Sequence, residues 1–60
     1  MNRQGYIIEY RKVGNSVKVS AIDQVTLTEV SIIASPSLSR KDMAAMAIKK
    51  LHYVMGKREE

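Results

Sequence analysis

Tyr6-Ile7-Ile8-Glu9-Tyr10-Arg11-Lys12-Val13-Gly14-Asn15-Ser16-Val17-Lys18-Val19-Ser20-Ala21-Ile22-Asp23 is the stretch on which the fold turns. Tyr6, Ile8 and Tyr10 alternate with Ile7, Glu9 and Arg11, the period-two pattern of a half-buried strand. The first strand is predicted over Gly5–Val13 and the second over Ser16–Asp23. Gly14-Asn15 between them is a two-residue hairpin signal, with Gly supplying a positive φ. Such a loop pairs Val13 with Ser16. It then sets Tyr10 opposite Val19, Ile8 opposite Ala21, Ile7 opposite Ile22, Glu9 opposite Ser20 and Arg11 opposite Lys18. A slip of one residue would mix the two faces, so the pattern and the turn specify the same register.

Working outward, Gln24–Thr28 is a polar-leaning connection. Glu29–Ala34 is a third strand with Val30, Ile32 and Ala34 toward the core. Ser35-Pro36-Ser37 ends it, because proline cannot continue a ladder. Short connections imply an antiparallel meander with the second strand central. Beyond lies a helix from about Ser39 to Met55. Ser39 is the N-cap, Asp42 three residues on is a weaker form of the capping box, and Leu38 and Met43 form a hydrophobic staple. Met43, Ala44, Ala47, Ile48, Leu51, Val54 and Met55 recur at helical spacing as one apolar stripe. Gly56 is the left-handed stop, and Lys57 and Arg58 suit the negative end of the helix dipole. The fold class is α+β: a three-stranded antiparallel meander with one C-terminal helix on one face, in β-β-β-α order.

Sixty residues make one small domain, residues 1–60, with an ordered core of about 5–56 and a flexible tail over 57–60. A chain of this size buries only about 60% of its unfolded surface and is marginally stable. There is no cysteine, which removes disulfides and thiolate metal sites, and the single histidine, His52, makes a histidine-based metal site improbable. Self-association is the remaining common way to stabilise so small a domain. Met1-Asn2-Arg3-Gln4 leads straight into a strand pattern instead of an apolar signal core, and no run approaches the length of a membrane span. A soluble cytoplasmic protein without a membrane partner is the expectation.

The run from Val13 to Asp23 resembles a family of short, uncharacterised alphaproteobacterial proteins of unknown function. The run Thr28-Glu29-Val30-Ser31-Ile32 is similar to it as well, and so is the helix segment Ala47-Ile48-Lys49-Lys50-Leu51-His52-Tyr53-Val54-Met55. The likeness covers about residues 6–58 and implies a β-β-β-α unit with no activity attached. That family's second turn often carries Gly where this chain has Leu27, so the geometry of that turn is where the chain departs from the family.

Catalytic chemistry finds little material. His52 reads as a helix-surface histidine near a C-terminus. Asp23 and Glu29 flank the second turn, where carboxylates are most often turn-forming or solvated. Gly14 is isolated and makes no phosphate loop, and a pocket of several hundred cubic ångströms is hard to carve from so small a domain. A non-enzyme with no cofactor and no small-molecule substrate is expected. The net charge of +4 permits nucleic-acid contact, and the balance is more basic still without Glu59 and Glu60. Arg11 and Lys18 on the open sheet face, with Lys12 and Arg3 nearby, are the candidate phosphate contacts. No aromatic is placed for base stacking, since Tyr6 and Tyr10 point to the core. Arg40, Lys41, Lys49, Lys50 and Lys57 read as an ordinary solvated helix face, with Tyr53 beside them as a surface anchor or part of the helix–sheet edge. The stronger expectation is an interaction module. Ile7, Ile22 and Ile33 on the face away from the helix form the candidate interface, used for homodimerisation face to face or edge to edge, or for docking on a larger protein. Nucleic acid is the alternative partner.

Overall fold

The computed structural model describes residues 5–56. Strands β1 (Tyr6–Val13), β2 (Ser16–Asp23) and β3 (Glu29–Ala34) are followed by a single helix, α1 (Arg40–Val54). The sheet is antiparallel in the order β1-β2-β3, so the meander with a central second strand is as the sequence predicts. The expected flexible tail over 57–60 lies outside the described residues.

The first hairpin has the predicted register: Val13 pairs with Ser16, Tyr10 with Val19 and Ile7 with Ile22. Gly14 has a φ of 60° and Asn15 is not in the positive region. That sign pattern is the one in which a type II′ turn matches the twist of its strands. Across the other side of β2, Val19 pairs with Ile32 and Lys18 with Ile33.

The second turn works differently. The Asp23 carboxylate accepts from the backbone N–H of Val25 at 2.8 Å and of Thr26 at 3.0 Å. Asp23 is thus a turn-former, the role that suits a short carboxylate at a strand end. The chain returns through Leu27, whose N–H donates to the Asp23 carbonyl at 2.7 Å and whose φ is 64°. Among the described residues Leu27 is therefore the one non-glycine residue in left-handed backbone, with its side chain 75% exposed. A Cβ in that conformation costs roughly 1–2 kcal/mol, and an exposed leucine offsets little of it. Leu27→Gly is expected to stabilise the domain by about 0.5–1 kcal/mol once the added freedom of the unfolded chain is subtracted. A rise in the thermal midpoint in circular dichroism checks this; a fall would mean that the turn draws something from the leucine side chain.

Ser39 caps α1 as predicted: its extended backbone (φ −73°, ψ 157°) lets the hydroxyl accept from the Asp42 N–H at 3.1 Å. At the far end Gly56 takes a φ of 73°, the left-handed stop read from the sequence. The core is a cluster of Val19 and Ala21 from β2, Val30 and Ala34 from β3, and Met43, Ala47 and Leu51 from α1. Tyr6, Ile8, Tyr10, Val17, Ile32, Leu38, Ile48 and Met55 pack around it. One residue of the predicted stripe departs: Val54 is 52% exposed. It lies in the last turn, to the side of the buried row formed by Met43, Ala47 and Leu51.

The helix lies over β2 and β3, not over the middle of the sheet. A helix is about 10 Å wide and strands are about 4.8 Å apart, so one helix covers two strands and leaves a third at the margin. Here the marginal strand is β1, and that placement shapes the surface described next.

Candidate functional site

The helix residues Arg40, Ala44, Ile48 and His52 recur at i, i+4 and form one row along the side of α1 nearest β1. Each end of this row is tied to a tyrosine of β1. The Tyr10 hydroxyl donates to the Arg40 carbonyl at 3.1 Å, and the Arg40 guanidinium lies 4.8 Å from the centre of the Tyr10 ring. At the other end the Tyr6 hydroxyl is hydrogen-bonded to Nε2 of His52, the two rings tilted at 52° with centroids 5.6 Å apart. Between these ties runs an apolar groove of about 480 Å³ lined by Tyr6, Ile8, Ala44 and Ile48. A second groove of about 290 Å³ lies at the Tyr10–Arg40 end, with Lys12, Pro36 and Met43 in its wall. A domain of this size is expected to lack such hollows; the lateral seat of the helix produces them. The larger groove is walled by Tyr6 and Ile8 from the strand and by Ala44 and Ile48 from the helix, so its lining is apolar.

The uncovered face of the sheet is arranged in cross-strand rows. Ile7, Ile22 and Glu29 form one, Glu9, Ser20 and Ser31 the next, and Arg11, Lys18 and Ile33 the third. Ile7 is 43% and Ile33 63% exposed, while Ile22 is half-buried. Ile7 and Ile22 are direct cross-strand partners. Ile33 stands at the opposite corner, two rows and two strands away, separated by a polar row whose centre, Ser20, is only 8% exposed. The three isoleucines therefore form two apolar corners, not one patch.

The basic candidates divide as well. Arg11 and Lys18 are cross-strand partners on the open face. Lys12 pairs with Val17 and so lies on the helix side, and Arg3 lies outside the described residues. Two members of the helix set have structural partners: Arg40 spreads over Tyr10, and the Lys50 ammonium donates to the Ser31 carbonyl on β3 at 3.0 Å. Tyr53 is 85% exposed and does not complete the helix–sheet edge. Among the described residues no group of three His, Asp or Glu side chains is gathered as a metal site would require. Nor is any helix there long and apolar enough to cross a membrane.

The two tyrosine ties and the Lys50 contact are not legible in the chain. Their one sequence signal is the row 40-44-48-52, which mixes cation, alanine, isoleucine and histidine at a spacing that would normally be wholly apolar or wholly solvated.

A family model described as a domain of unknown function, DUF6898, matches residues 3–59. The chain belongs to the DUF6898 family. The resemblance carried by the hairpin motif thus holds as far as a family of unknown function covering nearly the whole chain; bacterial origin is a separate matter that the match does not touch. No curated protein and no solved structure matches this DUF6898 chain.

Proposed function

We propose that this DUF6898 chain is a non-catalytic interaction module of the bacterial cytoplasm that works by self-association, through the open face of its sheet or through an edge strand. The observation that carries this reading is the condition of β1. It is an edge strand, it lies at the margin of the helix, and it holds Ile7 at 43% and Val13 at 50% exposure. Burying an isoleucine is worth about 1.5–3 kcal/mol, a large share of the stability of so small a domain. Association is thus favoured by the same surface that the monomer leaves open.

Light scattering coupled to size-exclusion chromatography tests this directly. The wild-type chain is expected to elute at twice its 6.8 kDa mass, and Ile7→Lys at the monomer mass with unchanged far-ultraviolet circular dichroism. A wild-type monomer at high concentration rejects self-association.

The second reading, a nucleic-acid-binding accessory domain, draws on the adjacency of Arg11 and Lys18 across the hairpin. A phosphate between two cations on a flat face is a reasonable contact. It predicts salt-sensitive NMR shift changes centred on those two residues when mixed DNA and RNA are added. Spectra unchanged at low salt remove it.

A further inference from the structure

The two edges of the sheet are not equivalent. Asp23 donates to the Thr28 carbonyl at 2.9 Å, which sets the phase of the β2–β3 ladder. Val30, Ile32 and Ala34 bond inward, and Glu29, Ser31 and Ile33 turn their backbone groups to the outer edge. That edge is guarded: Lys50 reaches over it to the Ser31 carbonyl, and Pro36 follows two residues after the strand. On the other side, Gln24 donates to the Gly5 carbonyl at 2.7 Å. Ile7, Glu9, Arg11 and Val13 therefore bond to β2, while Tyr6, Ile8, Tyr10 and Lys12 direct their N–H and C=O groups outward. The ties from this strand to the helix run through the Tyr6 and Tyr10 hydroxyls and, among the described residues, leave that backbone row free to pair.

We propose that the occupant of this edge is a second copy of the chain, paired antiparallel along β1 about a two-fold axis through Tyr10, to give one continuous six-stranded sheet. This deepens the self-association proposed above and rests on it. The strand's own side chains select both the occupant and the register. With the axis at Tyr10, Glu9 stands opposite the partner's Arg11 and Ile7 opposite the partner's Val13, each twice by symmetry. These are non-hydrogen-bonded positions, where opposed side chains come closest. Ile8 then lies opposite the aliphatic stem of the partner's Lys12, and Tyr10 faces its own copy. Three facing pairs exchange about six backbone hydrogen bonds.

The neighbouring registers fail on the same criteria. An axis at Glu9 opposes Glu9 to itself, one at Arg11 opposes Arg11 to itself, and one at Ile8 sets Ile7 against the partner's Glu9. The Tyr10 register also answers a defect within the monomer. Arg11 has the like-charged Lys18 as its cross-strand partner on β2, and the pairing brings a carboxylate to its other side. Both exposed apolar side chains of the open face of β1, Ile7 and Val13, are covered by the same step. The cost is that the two Arg40 guanidiniums, each over its own Tyr10 ring, approach on the helix side of the axis.

Charge exchange tests the proposal on exposed positions that leave the core untouched. Glu9→Arg and Arg11→Glu each oppose like charges twice and are expected to weaken the dimer at least roughly tenfold. The double variant E9R/R11E restores it, and the two single variants mixed together form a heterodimer. Cysteine pairing then reads the register, since the chain has no native cysteine. Ile7→Cys and Val13→Cys are each expected to stay unlinked alone and to link when mixed under oxidising conditions. A dimer whose affinity ignores the charge exchange, or in which Ile7→Cys links to itself, overturns the register while self-association stands. A dimer lost on Ile22→Lys, one strand in from the axis, assigns the interface to the open face instead. A monomeric wild type overturns both.

Discussion

Leu51→Ala is expected to remove about half of the stability of the domain. Leu51 has no accessible surface and is the largest fully buried side chain along with Val19. It is the last of the three helix residues, after Met43 and Ala47, that seat α1 on the sheet. Truncating a buried leucine costs about 2–5 kcal/mol, the transfer term plus the cavity left behind. A chain of this length has about 3–9 kcal/mol in total, so at the middle of both ranges the loss takes a little over half of it. Alanine is the better helix former, which means that the damage arises at the helix–sheet contact and not in the helix itself. A urea midpoint in circular dichroism lowered to roughly half the wild-type value is the expected result. Leu51→Met, which keeps the volume, should retain a cooperative transition within about 1.5 kcal/mol of wild type. An alanine variant that unfolds with an unshifted midpoint would mean that the core closes around the gap.

Ala47→Leu is expected to be nearly as damaging for the opposite reason. Ala47 has no accessible surface either, and it belongs to a core cluster in which Ala21 and Ala34 are the other small members. Small residues at this contact let the helix approach the sheet closely. A leucine adds bulk to a contact that already has no accessible surface, and overpacking of this kind costs about 1–3 kcal/mol or more. For a domain of this size each kcal/mol moves the thermal midpoint by about 4–8 °C. The control is Ala45→Leu on the exposed side of the same helix, which should change the midpoint little. Equal shifts from both variants would show that helix content, not the packed seam, sets the stability.

The sequence carried more of the fold than of the surface that uses it. The Gly14-Asn15 turn sets a register, and the alternation around it repeats that register; two independent signals agree, so the strand pairs can be read residue by residue. Ser39 and Gly56 mark the helix because capping is local chemistry. Leu27 shows where local signals end. Nothing in the connection after Asp23 announces a left-handed residue, because leucine is chosen against at such a position and the geometry is imposed from Asp23, whose carboxylate holds Val25 and Thr26 and whose carbonyl holds Leu27. The lateral seat of α1 is equally hidden. Periodicity says which face of a helix is apolar, but not which pair of strands it will rest on. Val54 sits on the predicted stripe and still stays exposed for that reason. The open-face isoleucines were legible as outward-pointing from alternation alone, yet their division into two corners depends on the register of β3.

The off-centre helix has one more consequence. β2, β3 and α1 follow one another along the chain and share the core, whereas β1 adds a strand at the margin, held by one ladder, partly buried side chains and two tyrosine hydroxyls. The domain therefore opens from β1 inward: that strand separates first in local fluctuations while the rest stays closed, and its amides are the first to exchange with solvent. A single copy is thus most fragile along the strand that a second copy would hold in place.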